Sequence, residues 1–160
     1  MIILKRTTPA DLESIVQMER DGENNPFIMP YDLEKHSLIL SDEDKMHLII
    51  LNEAGKQVGF VLLAGFKNED DNIELRRIVI ADKGKGYGSQ TITALKKKCF
   101  EKHDCNRLWL DVFDFNDRAR HVYKKLGFKE EGILRESVKK GGNYLNLVIM
   151  SILKKEYESE

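Results

Sequence analysis

The alternation of apolar and polar residues predicts a mixture of strands and helices along the chain. Short apolar runs bounded by turn residues are typical of strands, and positions such as Leu12, Ile15 and Val16 keep the period of a helix. The predicted order is strand, two helices, three strands, helix, strand, helix and two strands. The strands cover residues 2–6, 46–51, 57–66, 72–81, 107–113, 128–138 and 144–153, and the helices cover residues 8–20, 31–42, 87–103 and 117–127.

This order of elements predicts the fold class. A parallel crossover embedded in an otherwise antiparallel sheet fits it best. We therefore expect a mixed α/β protein with a mostly antiparallel central sheet of about seven strands, flanked by about four helices. The 160 residues, of which 41% are hydrophobic, suffice for one core, so a single domain over residues 1–160 is predicted.

Charge and cysteine content exclude several classes of protein. Charged residues make up 33% of the chain but leave a formal net charge of -1, so no overall field attracts nucleic acid or an anionic membrane. Cys99 lies on an apolar helical stripe, which is typical of a buried free thiol, and no structural disulfide with Cys105 is expected. The N-terminal apolar stretch is too short for a signal sequence, and no window approaches the roughly 20 apolar residues that span a bilayer. A soluble, cytoplasmic protein is predicted.

A glycine-rich stretch, VIADKGKGYGSQ at residues 79–90, joins a predicted strand to a predicted helix. Gly84, Gly86 and Gly88 remove Cβ atoms there, so backbone N–H groups can approach a ligand. The helix begins without an obvious side-chain cap, and its dipole favours an anion, which makes a pyrophosphate the first hypothesis. The alternative is a plain turn with water on the amides. Neither the G-K-[ST] ending of an ATPase loop nor the dinucleotide fingerprint fits this stretch.

A second stretch, FNDRARHVYKKLGF at residues 115–128, carries two further candidates. Asn116 stands at a strand-to-helix junction, and Tyr123 lies on the same helix face about 10 Å along the axis. Together they suit an extended ligand. Taken singly, Asn116 is explained as a helix N-cap and Tyr123 as a core residue.

Both stretches resemble the signatures of the GNAT superfamily of N-acetyltransferases. KGKGYG resembles the pyrophosphate loop [Q/R]-x-x-G-x-[G/A], with Lys83 where Gln or Arg is usual. The second stretch resembles N-x-x-A-x-x-x-Y-x-x-x-G-F, and every named position matches. The order of elements is also similar, and the C-terminal part resembles, more weakly, the branch with ribosomal-protein and polyamine acetyltransferases.

The resemblance implies acetyl-CoA as the donor and a set of residues that bind it. The backbone of Ile78, Val79 and Ile80 would pair with the pantetheine arm, although without the resemblance this is simply a buried strand. The other implied acetyl-CoA-binding residues are Lys83, Gly84, Lys85, Gly86, Tyr87, Gly88, Ser89, Asn116, Ala119 and Tyr123.

The resemblance also implies the catalytic groups. Tyr123 aligns with the tyrosine that protonates the departing thiolate, and a primary amine with a pKa near 10.4 needs a base at neutral pH. Glu74 and Asp111 are the candidate bases, with Asp111 shorter by one methylene than the glutamate that some relatives carry there. The alternative is that Glu74 pairs with Arg76 or Arg77.

The acceptor site is expected between the N-terminal helices and the following loop. Acidic residues there would attract a cation, and two aromatic residues would frame its stem. These residues are Asp21, Glu23, Glu34, Phe27 and Tyr31. The four histidines show no metal-ligand spacing, so no metal is predicted.

These features predict an enzyme that transfers an acetyl group from acetyl-CoA to a primary amine, either a polyamine-like molecule or a peptide N-terminus. The alternative is a non-catalytic acyl-CoA-binding module that senses the donor. C-terminal edge strands could also pair between two copies in a homodimer.

Overall fold

A computed structural model describes residues 1–22 and 25–160 and confirms the mixed α/β class. A seven-stranded sheet in the order β1-β2-β3-β4-β5-β7-β6 forms its centre. The strands are β1 (Ile2–Arg6), β2 (Lys45–Asn52), β3 (Gln57–Ala64), β4 (Asn72–Ile80), β5 (Arg107–Phe113), β6 (Lys129–Lys140) and β7 (Asn143–Leu153). The α-helices are α1 (Leu12–Arg20), α2 (Leu33–Leu40), α3 (Tyr87–Lys97), α4 (Asp117–Lys125) and α5 (Lys154–Glu158).

The predicted elements occur in the predicted order, with one addition. Helix α5 follows β7 directly, and its five residues are too few to show a helical period in the sequence. Short turns of other helical types precede α1 at Pro9–Asp11, precede α2 at Asn25–Phe27 and extend α3 at Lys98–Lys102. In the described ranges no helix is both long and apolar enough to cross a membrane.

The single parallel pair of the sheet, β4 with β5, is also its shortest. Helix α3 forms the crossover between them, and all other described neighbours are antiparallel. Pairing runs only from Asn72 opposite Arg107 to Glu74 opposite Trp109. Beyond these residues the two strands diverge, so the backbone of β4 from Leu75 onward has no strand on its β5 side. A gap therefore opens in the middle of the sheet.

A bulge in β4 changes which residues face each side of the sheet. Leu75 pairs with Leu63 and Arg77 pairs with Leu62, so Arg76 is the extra residue. Before the bulge, Leu75 packs into the larger core, which the sheet forms with α3 and α4. After the bulge, Ile78 packs against that core, whereas Val79 joins the smaller core against α1. We call these two faces of the sheet the α3 side and the α1 side.

Two cysteines lie in the larger core. Cys99 and Cys105 are buried free thiols, as the sequence predicted for Cys99. A hydrogen bond with Cys105, together with burial, raises the pKa of Cys99 far above its ordinary value. Cys99 therefore acts as an apolar side chain that packs the end of α3.

Candidate active site

The glycine-rich stretch turns sharply into α3. Gly84 and Gly86 have φ values of +80° and +78°, a left-handed conformation that side chains other than glycine rarely adopt. Gly86 is the N-cap, and no side chain caps the helix there. The amide of Gln90 donates to the Gly86 carbonyl at 3.1 Å, so the amides of Tyr87, Gly88 and Ser89 precede the helical ladder. A helix terminus with such amides can bind an anion.

A cavity of about 1000 Å³ extends from this loop through the gap between β4 and β5. Its lining contains nearly all of the residues predicted for donor binding and catalysis. These are Glu74, Ile78, Val79, Ile80, Lys83, Gly84, Gly86, Tyr87, Gly88, Ser89, Asp111, Asn116, Ala119 and Tyr123. Lys85 is outside the lining, because its ammonium turns to the Asp82 carboxylate at 3.0 Å.

Tyr123 reaches the cavity from the α3 side. Helix α4 begins at Asn116, whose side-chain oxygen accepts a hydrogen bond from the Ala119 amide at 3.3 Å. Tyr123 belongs to the larger core, and its ring lies 5.7 Å from that of Phe128. Burial, and secondly the charge of Asp111, raise the pKa of the phenol. The phenol therefore stays protonated throughout the neutral pH range.

Two carboxylates reach the cavity from the α1 side, because Glu74 and Asp111 alternate with residues of the larger core. Glu74 accepts two hydrogen bonds from the Arg76 guanidinium at 2.8 and 3.1 Å, so the predicted alternative of a Glu74–Arg76 pair is confirmed. For Asp111, burial and secondly the charge of Glu74 raise the pKa, while Arg76 and Arg77 lower it. The net effect is a pKa of Asp111 above its ordinary value.

The segment before α2 closes the cavity on the α1 side. Phe27, Ile28, Met29 and Tyr31 line it, as predicted for the two aromatic residues. Asp21 and Glu34 are exposed and lie outside the lining, so the expectation that they attract a cation into this site is not met. Glu23 lies outside the described residues.

Sequence reasoning missed a set of lining and supporting residues. The cavity also contains Arg76, Arg77, Phe113, Val138 and Leu147. Two features of the sequence could have indicated some of these residues. The Arg76–Arg77 doublet interrupts the alternation of β4 where the bulge lies, and Glu19 stands on the apolar stripe of α1. Within the described ranges, no group of three His, Cys, Asp or Glu side chains is arranged to hold a metal ion.

Comparison with known proteins agrees with this geometry. Residues 12–128 match the acetyltransferase (GNAT) family. Spermidine N(1)-acetyltransferase of Escherichia coli (strain K12) is 27% identical over 161 residues, which cover 94% of this chain and 84% of that protein. Spermine/spermidine N(1)-acetyltransferase of Bacillus subtilis (strain 168) is 29% identical over 112 residues, covering 64% of this chain and 74% of that protein.

A solved structure shows the same fold over nearly the whole chain. Spermidine N-acetyltransferase from Vibrio cholerae in complex with CoA and spermine superposes with a TM-score of 0.88 at 23% identity, covering 98% of each chain. The predicted acetyltransferase activity and the predicted use of acetyl-CoA are confirmed by these relationships. This chain belongs to the acetyltransferase (GNAT) family and uses acetyl-CoA as its acetyl donor.

Proposed function

We propose that the protein acetylates a primary amine that enters the cavity from the α1 side, and that the amine is a polyamine-like molecule or a peptide N-terminus. The relatives named for spermidine and spermine support the first acceptor class. The observation that carries the proposal is the gap between β4 and β5, which has Asp111 on one side and Tyr123 on the other. Acetyl transfer needs a base for the amine and an acid for the thiolate, on opposite sides of the thioester.

The donor binds on the α3 side in this proposal. The amides of Tyr87, Gly88 and Ser89 accommodate the pyrophosphate with the dipole of α3 behind them, and Lys83 adds a positive charge. The backbone of residues 78–80 lies along the open edge of β4 and pairs with the pantetheine arm. A backbone N–H on this edge would also stabilise the oxyanion that forms on the thioester carbonyl.

The catalytic groups act in sequence on the two reactants. Asp111, directly or through a water molecule, accepts a proton from the ammonium group of the acceptor, and the free amine attacks the thioester carbon. A C–N bond forms and the C–S bond breaks, and Tyr123 gives its phenolic proton to the departing sulfur. The attacking nitrogen then loses its second proton, which restores the Tyr123 phenol directly or through a water molecule. Glu74 is the second candidate base, but its carboxylate is already occupied by the ion pair with the Arg76 guanidinium at 2.8 Å.

The acceptor and the acid are tested together with a panel of amines and two matched tyrosine variants. Release of CoA thiol from acetyl-CoA is measured with spermidine, diamines, lysine and short peptides of varied N-termini. Tyr123→Phe should lower kcat by about 100-fold or more while acetyl-CoA binding, measured by calorimetry, is kept. Tyr157→Phe, which removes a phenol that bonds to Glu101 away from the cavity, should leave kcat unchanged. Full activity of Tyr123→Phe would refute its role as the acid.

Two further predictions accompany this proposal. We expect a homodimer in which the exposed edge strand β6 takes part, since Ile133 and Leu134 are 57% and 48% exposed there. Sedimentation of the native protein and of Ile133→Lys tests it. The cytoplasmic location predicted from the sequence is tested by fractionation of cells that express the protein.

A further inference from the structure

A chain of buried polar side chains lies behind the α1 side of the cavity. Glu19 and His36 are 0% exposed, and Arg77 is 8% exposed. Glu19 accepts a hydrogen bond from Arg77 Nη1 at 2.9 Å through one carboxylate oxygen, and its other oxygen accepts from His36 Nε2. His36 Nδ1 in turn lies 3.1 Å from His47 Nε2. Such groups are costly to bury, so this arrangement calls for an explanation beyond packing.

The same side chains hold the backbone of the segment 27–31. Arg77 Nη2 donates to the carbonyl of Met29, and the amide of Tyr31 donates to Glu19 Oε1 at 3.4 Å. The Arg77 guanidinium also lies 3.7 Å from the centre of the Tyr31 ring. One ion pair therefore fixes a carbonyl, an amide and an aromatic ring of one short segment.

Apart from the Glu19–Arg77 pair, side-chain contacts rather than strand pairing hold this segment against the sheet. It has no strand partner in the described structure, and Phe27 and Met29 are 42% and 39% exposed. Its other contacts include the hydrogen bond from Lys140 to the Ile28 carbonyl and the packing of Ile28 against the smaller core. The Lys35 ammonium lies 3.8 Å from the centre of the Tyr31 ring, and the ring of Phe115 lies 6.0 Å from that of Phe27. The segment nevertheless forms the wall that faces the two candidate bases.

We propose that Glu19 and Arg77 are positioning residues that set the affinity for the amine by holding segment 27–31 as the acceptor wall. The proposal rests on the proposed function, because it takes the α1 side of the cavity as the acceptor entrance. His36 supports the Glu19–Arg77 pair, because its Nε2 donates a hydrogen bond to the second carboxylate oxygen of Glu19. The bulge at Arg76 makes the contact possible, since it turns Arg77 away from the α3 side and toward α1.

The kinetic test uses variants of both partners, with a buried lysine elsewhere in the protein as control. Glu19→Gln and Arg77→Met should each raise the KM for the amine about tenfold or more, with the KM for acetyl-CoA within about twofold and kcat within about threefold of the wild-type values. Arg77→Lys keeps a cation beside Glu19 but loses the paired N–H groups of the guanidinium, so its KM for the amine should be intermediate. Lys96→Met removes a similarly buried cation, which pairs with Glu160 at 2.6 Å, and should leave both KM values unchanged.

Amide hydrogen exchange provides a readout that needs no acceptor. The Tyr31 amide should exchange about tenfold faster in Glu19→Gln and Arg77→Met than in the wild type, and at the wild-type rate in Lys96→Met. If the wild type acetylates no amine, the proposed function fails, while the exchange rates still decide whether the pair holds the segment. Unchanged exchange overturns the proposal in either case.

A merely structural role predicts a different pattern. Glu19 variants would then be less stable and a smaller fraction of the protein would be active. The apparent kcat would fall and the KM for the amine would stay unchanged. If Glu19→Gln does not fold, Tyr31→Leu removes the ring from Arg77 without touching the buried charges, and it should raise the amine KM alone. Equal changes in both KM values, or faster exchange without a change in amine KM, would overturn the proposal.

Discussion

Protonation of His47 should make the protein markedly less stable in mild acid. His47 is 3% exposed and stacks on Phe60 with ring centres 5.3 Å apart. Burial, and secondly the charge of His36, lower the pKa of His47 from 6.5 to about 4, while Asp11 raises it. Thr7 Oγ1 lies 2.8 Å from Nδ1 of His47, and Nδ1 of His36 lies 3.1 Å from Nε2 of His47, so both ring nitrogens are occupied. A proton added to this ring places a charge in a buried site.

The size and sign of the effect follow from the two pKa values. Between pH 6.5 and pH 4 the unfolded chain binds a proton at His47 that the folded chain does not bind, so stability falls as pH falls. The loss is about 1.4 kcal/mol per pH unit, or about 2 kcal/mol at pH 5 and about 3 kcal/mol by pH 4. The stabilisation is fully present above pH 6.5.

Urea unfolding of the wild type and two glutamine variants measures this contribution. His47→Gln cannot titrate, so between about pH 7.5 and pH 5 its free energy of unfolding should fall by about 2 kcal/mol less than that of the wild type. His121→Gln, which removes an exposed histidine from α4, should follow the wild type. The carboxylates are present in all three proteins, so their contribution to the pH dependence of the free energy of unfolding cancels in the comparison. Identical pH dependences for His47→Gln and the wild type would refute the reasoning.

Two further predictions concern the base and the close pairing of β3 with β4. Asp111→Asn should lower kcat by about 100-fold, and Glu74→Gln by less than about tenfold, as measured by thiol release; a larger effect at Glu74 would reverse the assignment of the base. Gly59→Ala should destabilise the protein by about 3 kcal/mol in thermal unfolding, since its Cβ would lie 2.2 Å from the Val79 carbonyl oxygen. Gly132→Ala, which meets nothing within 4 Å, is its control, and equal stability of the two variants would contradict the argument.

The sequence predicted those parts of the molecule that local patterns determine. Periodicity located every strand of the sheet, and the glycine-rich stretch and the Asn116–Tyr123 pair each lie within one loop or helix that contacts the cavity. The residues that were missed come together only through tertiary contacts. Glu19 and Arg77 are 58 positions apart, and no pattern within either element states that they meet. Asp21 and Glu34 were expected near the acceptor but lie outside the cavity lining, because composition does not determine which way a side chain faces.

One extra residue in β4 explains why a single strand can serve both halves of this site. Without the bulge, strict alternation would place Arg77 on the same face as Leu75, inside the core with α3, where a guanidinium has no acidic partner in the described structure. With it, Glu74 and Arg77 both face α1, while Ile78 and Ile80 face α3 beside the donor loop. Since β5 diverges at the same level, the strand presents an open backbone edge toward the donor and charged side chains toward the amine. The two reactants can therefore approach the same few residues from opposite faces of the sheet.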